Sequence, residues 1–345
     1  MMAPDNIVTN RVPGFAVFIG NFIRETVINR IGRIYLDYPG GDVLYAACAY
    51  KACGGSAGLI GCIGENFPQK FLNKIQRNGF DISGIKRTNS NLEQRSFYSI
   101  NENSEILTPF PQKIYSELNL PLPDHLLGYD SSQNIKSLEG SKSISLLSLT
   151  EIPERFKKAN SIYLSPMDSE NFEMASAYCR SSDHKLIFIH PGKEIMQSGT
   201  FNKTINVFSG ASAVITNPKD LESLFYNKKR DLDRMAQLLG NFGIERIIIL
   251  MDMEKTYLYD FSVGKKYLIP MLPISPIDPV GSASAFCGGY MAGINAHADA
   301  VSAAALGNTM RSLKLGGSTP GYLLQTLPEF IRAKAEYLMD RAIIY

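Results

Sequence analysis

The segment Asp278 to Ile294, DPVGSASAFCGGYMAGI, combines two features that could do chemistry together. Its front half, Gly281-Ser282-Ala283-Ser284, is a Gly/Ser-rich turn that opens a helix. Such a turn offers backbone N–H groups without intrahelical partners, and the positive end of the helix dipole, to any anion in front of it. The side chain best placed to move a proton there is Ser284, a hydroxyl. A positioned general base contributes about 10²- to 10⁴-fold to a rate, and a hydroxyl with no activating partner accepts no proton at neutral pH. The pattern predicts an anion cradle without a base. A plainer reading stays open: Ser282 or Ser284 caps a buried helix, since serine is a favoured N-cap residue. Gly288, Gly289 and Gly293 lie inside the same helix, where each costs about 1 kcal/mol relative to alanine. Something must therefore approach that backbone closely.

The elements that position these residues follow from pattern. Phe15–Gly20 (FAVFIG) and Ala57–Gly61 (AGLIG) are short apolar runs suited to buried parallel strands, with an Ala/Cys/Tyr-rich helix over Val43–Cys53 between them. Phe67–Asn78 has helical spacing and is closed by Gly79, and RSFYSI after Leu92 alternates like a strand. In the second half, Ser161–Leu164, Leu186–His190, Ala213–Thr216 and Arg246–Leu250 are β-branched runs. Helical segments near 171–180, 219–225 and 231–242 separate them, which implies β-α-β units and a mostly parallel sheet. Tyr257–Asp260 and Lys266–Leu268 read as an antiparallel edge pair, followed by helices near 298–314 and 323–339. The stretch 101–146 is polar and Pro-containing and reads as an insertion or loop.

Composition narrows the function classes. Lys and Arg number 35 against 33 Asp and Glu, and the longest basic cluster is Asn227-Lys228-Lys229-Arg230, so nothing points to nucleic acid. No run approaches the roughly 18 apolar residues of a membrane span. The N-terminal stretch lacks the charged and apolar regions of a secretory signal. The cysteines are odd in number, lie mostly in apolar stretches and form no C-x-x-C pair, the pattern of reduced core thiols in a cytoplasmic protein.

Taken with Gly40-Gly41-Asp42-Val43-Leu44-Tyr45-Ala46-Ala47, Gly54 and Gly64, the Asp278–Ser284 window resembles the two signatures of the PfkB/ribokinase family of carbohydrate kinases. The resemblance covers about positions 14 to 316. It implies a ribokinase-like three-layer α/β fold spanning 1–345 as one domain, with a mostly parallel central sheet and a small β lid near 22–39 and 92–110. It also implies that the sheet is what packs behind the helix glycines. In that family the later motif runs D-T/P-x-G-A-G-D, and its last Asp takes the proton from the sugar hydroxyl. Here Gly281, Ser282 and Ala283 stand at the anion hole, with Ala283 where the family has Gly, and Ser284 stands at the base. Glu25, at or next to the family's sugar-binding Asp, joins Gly41, Asp42 and Tyr45 as the implied substrate side, with Tyr45 where most members carry Asn.

The nucleotide-side motifs depart further. The family's N-x-x-E element, which organises magnesium near the phosphates, is represented by Asn217-Pro218-Lys219-Asp220, and Asp220 is the implied metal contact. Asn217 and Asp220 also read simply as a strand-end turn and a helix cap. A family G-x-x-G segment that admits nucleotide falls on Asp252 and Lys255, and Asp278 completes the implied nucleotide side, although Asp278 also reads as shaping the turn before Pro279. Scaffold glycines persist while positions 252, 255, 283 and 284 change together. The resemblance thus implies Mg²⁺ and ATP as cofactors, with their binding in doubt here. Two functional readings result: a protein that binds a sugar or nucleoside but is impaired in phosphoryl transfer, and an active divergent kinase in which Asp278 or the substrate's own phosphate takes the proton. A purely structural interaction protein is a third. A homodimer through the lid follows by family analogy alone.

Overall fold

A computed structural model of the chain describes residues 12–130, 151–225 and 231–345. Runs rich in β-branched and apolar residues form strands because a strand covered on both faces has no reason to alternate. The strands are β1 (Phe15–Ile19), β2 (Ile23–Ile28), β3 (Ile34–Gly40), β4 (Ser56–Ile63), β5 (Asp81–Arg87), β6 (Arg95–Ile100), β7 (Ile106–Leu107), β8 (Ser161–Leu164), β9 (Leu186–Ile189), β10 (Ala213–Thr216), β11 (Arg246–Leu250), β12 (Lys255–Asp260), β13 (Lys265–Pro270) and β14 (Ile343–Ile344). Ten of them form one sheet in the order β14-β13-β12-β11-β10-β9-β8-β1-β4-β5. From β5 to β11 neighbouring strands are parallel, and β12 to β14 add an antiparallel edge.

Helices cover both faces. Helices 42–52, 282–295, 300–315 and 328–339 bury one apolar cluster with Phe18, Tyr163 and Ile248 of the sheet. Helices 169–181, 201–208, 218–224 and 232–240 bury a second with Val17, Ile162 and Ile249. Adjacent residues of one strand point to opposite faces, so Val17 and Phe18 serve different cores. The three-layer α/β architecture follows.

A separate four-stranded sheet, β3-β2-β6-β7, forms the lid. Val27 on one of its faces packs with Tyr38, Tyr45, Ile100 and Val280. Ile28 on the other packs with Phe97, Tyr115, Leu126 and Tyr129. Residues 101–130, unpatterned in the sequence, thus supply a backing to the lid that includes a short helix at Pro111–Glu117. Residues 131–146 of that stretch, and the basic run Asn227–Arg230, lie outside the described residues.

Two expectations change. The helix glycines do not face the sheet: a Cβ on Gly288 would overlap the Ala46 carbonyl oxygen, and one on Gly289 or Gly293 would press on helix 300–315 at Gly307 or Ala303. The close approach is helix to helix, which brings the heads of helices 42–52 and 282–295 together. The last helix starts at Pro328, behind a 3₁₀ turn at Pro320–Gln325, because proline is suited to a first helical position.

Candidate functional site

His190 follows β9, Asn217 follows β10 and Asp252 follows β11, all at the carboxyl edge of the parallel strands. In open α/β sheets that edge is where ligands bind. The lid strand β2 and the heads of helices 42–52 and 282–295 meet there, and these elements bring most of the sequence-predicted residues together.

On the lid side, Glu25 is 2% exposed and both of its oxygens are engaged. Oε1 accepts the Gly41 N–H at 2.8 Å and Oε2 accepts the Tyr45 hydroxyl at 2.8 Å. Gly41 has φ 96°, a left-handed conformation that disfavours side chains, and a Cβ on it would collide with the Asn21 carbonyl oxygen. Tyr45 is 1% exposed, and its ring lies directly on Gly281, so that a Cβ there would overlap it. The ring stands between the Glu25 carboxylate and the opening of the helix turn. The Tyr45 phenol fills the gap between the Glu25 carboxylate and Gly281.

Burial pushes the Glu25 carboxyl up to about 7, opposed by the hydrogen bonds from Tyr45 and Gly41 and reinforced by Asp42 and Asp278. The unfolded carboxyl ionises from about pH 4.5 and the folded one from about 7, so stability falls as pH rises through that window. Glu25→Gln keeps the shape and an acceptor for Gly41 while removing the charge. We expect it to raise stability by on the order of 3 kcal/mol above pH 7 and by little below pH 4.5. Thermal melts across pH read this directly; a stability difference independent of pH would contradict it.

The cradle is built at the head of helix 282–295. Gly281 is its N-cap at φ 73°, and no side chain caps it. The expectation that Ser282 or Ser284 caps the helix therefore gives way to a glycine cap. The Ser282 N–H donates to the Pro279 carbonyl at 3.1 Å, and first-turn geometry leaves those of Ala283 and Ser284 without intrahelical acceptors. Ser284 is fully buried, and its hydroxyl donates to Oδ1 of Asp42, 242 residues away in sequence. Nδ1 of His190 lies 3.5 Å from the Ser284 hydroxyl oxygen and 3.2 Å from that of Tyr163. Burial lowers the His190 pKa, while Asp42 and Asp220 pull it up.

Asp278 does not face this space. It is fully buried, its Oδ1 accepts the Val280 N–H at 2.9 Å, and its Oδ2 lies 3.4 Å from Nζ of the equally buried Lys314. Lys314 also donates to the carbonyls of Asp278 at 3.0 Å and Gly317 at 2.8 Å. Burial lowers the Lys314 pKa, and the Asp278 charge is the main opposing influence. A tethered ammonium thus sits behind the turn, and Asp278 is its counter-ion.

The nucleotide-side residues are dispersed along the strand ends. Asn217 caps helix 218–224 by accepting the Asp220 N–H at 3.0 Å, and its Nδ2 donates to Asp220 Oδ2 at 2.6 Å. Burial raises the Asp220 pKa against the pull of Asn217 and His190. Among the described residues no group of three or more His, Cys, Asp or Glu is arranged to hold a metal ion. Magnesium is commonly held by one or two carboxylates with waters and substrate phosphates, and Asp220 fits that limited role. Asp252 is exposed in the β11–β12 turn and Lys255 opens β12 half-buried. Arg311, almost wholly buried, reaches this turn and donates to the Met251 carbonyl at 3.0 Å.

Sequence reasoning passed over His190, Tyr163, Arg311 and Lys314. His190 ends the run LIFIH, and a histidine at the carboxyl end of a parallel strand was a usable signal. Arg311 and Lys314, three apart in an Ala-rich helix, share the face turned to the turns after β11 and before Gly281. Among the described residues no helix is long and apolar enough to cross a membrane.

The model of the pfkB family of carbohydrate kinases matches residues 130–326. A cytidine kinase of Thermococcus kodakarensis is 22% identical over 290 residues, 80% of this chain and 87% of that protein. A nucleoside kinase of Burkholderia thailandensis, solved with inosine, superposes with a TM-score of 0.66 at 15% identity, covering 94% of this chain and 98% of that one. A putative ribokinase II from E. coli, solved with ATP and Mg²⁺, gives 0.67 at 14% identity, covering 94% and 99%. These likenesses extend the ribokinase-like architecture over nearly the whole chain. The family model spans more than half of the residues, and the chain belongs to the pfkB family of carbohydrate kinases.

Proposed function

We propose that this family member binds a nucleoside- or sugar-like ligand between the lid and the Gly281–Ser284 turn and is impaired in ATP-dependent phosphoryl transfer. Tyr45 carries the reading. Its ring rests on Gly281 and its hydroxyl is bonded to Glu25, so the acceptor side closes on the chain's own side chains. Ser284 at the head of the turn adds to this, since its hydroxyl is a donor to Asp42 and not a base. Phosphoryl transfer depends mainly on positioning and charge stabilisation, and here Tyr45 narrows the space in which an acceptor would be positioned.

A nucleoside is favoured over a simple sugar because a cytidine kinase and an inosine-bound nucleoside kinase are among the similar proteins. Mg²⁺ and ATP belong to the reading as weak ligands, with Asp220 beside a metal-bound water and Asp252 and Lys255 at the nucleotide's approach. Ile31, Leu36, Ile106 and Leu107 are exposed on the lid and suit contact with a second copy of the chain.

Thermal stabilisation and calorimetry with a panel of nucleosides and sugars, with and without ATP and magnesium, test the reading. Saturable stabilisation by at least one nucleoside or sugar is the expected result. No stabilisation by any of them would overturn it in favour of a structural interaction role.

A further inference from the structure

We infer that Asp42 is the carboxylate that takes the acceptor's proton in whatever phosphoryl transfer this chain retains. The inference rests on the ligand-binding reading above and adds to it a catalytic group.

Asp42 is the first residue of helix 42–52, and its carboxylate reaches the head of helix 282–295 to accept the Ser284 hydroxyl. It is half-buried, and among the described residues its Oδ2 has no hydrogen-bond partner. One oxygen is therefore fixed by Ser284 and the other is free to accept. The neighbouring carboxylates are committed elsewhere. Both oxygens of Glu25 are held, by Gly41 and Tyr45. Asp278 is fully buried against Lys314 and the Val280 N–H. Asp220 accepts Asn217 on Oδ2 in the cap of helix 218–224, after β10, and its place in the reading above is beside a metal-bound water. From the head of helix 42–52, beside Ser284, the Asp42 charge is felt by Glu25 of the lid and by His190 at the end of β9.

The acceptor's hydroxyl oxygen forms a bond to the γ-phosphorus of a nucleoside triphosphate. The bond from that phosphorus to the β,γ-bridging oxygen breaks, and its electron pair leaves on the nucleoside diphosphate. The acceptor's proton passes to Oδ2 of Asp42. Ser284 holds Oδ1 and acts as a positioning residue.

Asp42→Asn preserves volume and an oxygen to accept Ser284 while removing the proton acceptor. With magnesium, ATP and a nucleoside that binds, single-turnover transfer by the wild type is expected to be slow but measurable. Asp42→Asn should lower it by about 10²-fold or more at saturating nucleoside and nucleotide, a loss well beyond any change in the calorimetric affinities. Asp42→Asn combined with Ser284→Asp moves the carboxylate across the same hydrogen bond and should restore transfer to at least the wild-type rate. Transfer by Asp42→Asn equal to wild type, or a rate loss matched by an equal loss of affinity, would overturn the inference. Complete absence of transfer in a wild type with both ligands bound would overturn it too, yet leave the ligand-binding reading standing. Failure of every nucleoside and sugar to bind would remove both.

Discussion

Ser284→Asp combined with Ala283→Gly is expected to raise phosphoryl transfer by about 10²-fold, the low end of what a positioned base supplies. The new carboxylate would stand at the head of helix 282–295, beside the N–H groups without intrahelical acceptors, where the family carries its base. It would also stand against Asp42, whose oxygen the Ser284 hydroxyl now donates to. Two carboxylates at that distance share a proton, because both cannot ionise cheaply. The gain should therefore be larger at alkaline than at acid pH, and pH–rate profiles will show it. A double variant that binds ATP as tightly as the wild type and stays inert at every pH would place the defect elsewhere, with Asp252 and Lys255 next in line.

Tyr45→Asn is expected to open the acceptor side. The phenol is almost completely buried and contacts Gly281, Tyr38 and Glu25, so its removal leaves a cavity at the junction of lid and turn. Replacing a buried aromatic by a small residue typically costs about 3–5 kcal/mol, and a fall of that order in denaturant stability is predicted. The same space then becomes available to ligand, and nucleoside affinity should rise by about 10-fold or more, since no side chain has to be displaced first. Calorimetry on the wild type and the variant decides it. Lower stability with unchanged affinity would mean that Tyr45 is a structural element of the lid interface and does not occupy the ligand's place.

The frame of the molecule was legible because its strands are covered on both faces. FAVFI, SIYL, LIFI, AVIT and RIIIL are continuous apolar runs, and each is a strand of the large sheet. Strand β5, DISGIKR, was hidden by its polar edge composition, and β14 is two residues long. Both Gly-rich turns announced themselves by residue type. What they touch did not: the hydrogen bond from Ser284 to Asp42 joins residues 242 apart, and no local spacing predicts it. Asp278 read both as a ligand-facing acid and as a residue shaping the turn before Pro279, and its partner Lys314, in the second helix after it, could not be seen locally. The Tyr45 ring over Gly281 depends on the angle between two helices, which Gly288 sets by admitting the Ala46 carbonyl. Periodicity reports burial, whereas pairing across the core reports tertiary geometry.

The central claim is that the acceptor side is closed by Tyr45 and Glu25 in front of a turn that lacks its own base. Steady-state turnover with saturating ATP, magnesium and a panel of nucleosides and sugars tests it most directly. Kinases typically turn over at roughly 1–100 s⁻¹. The account predicts a rate well below that range for every acceptor, including those that bind saturably; turnover of about 1 s⁻¹ or faster with any of them would contradict it.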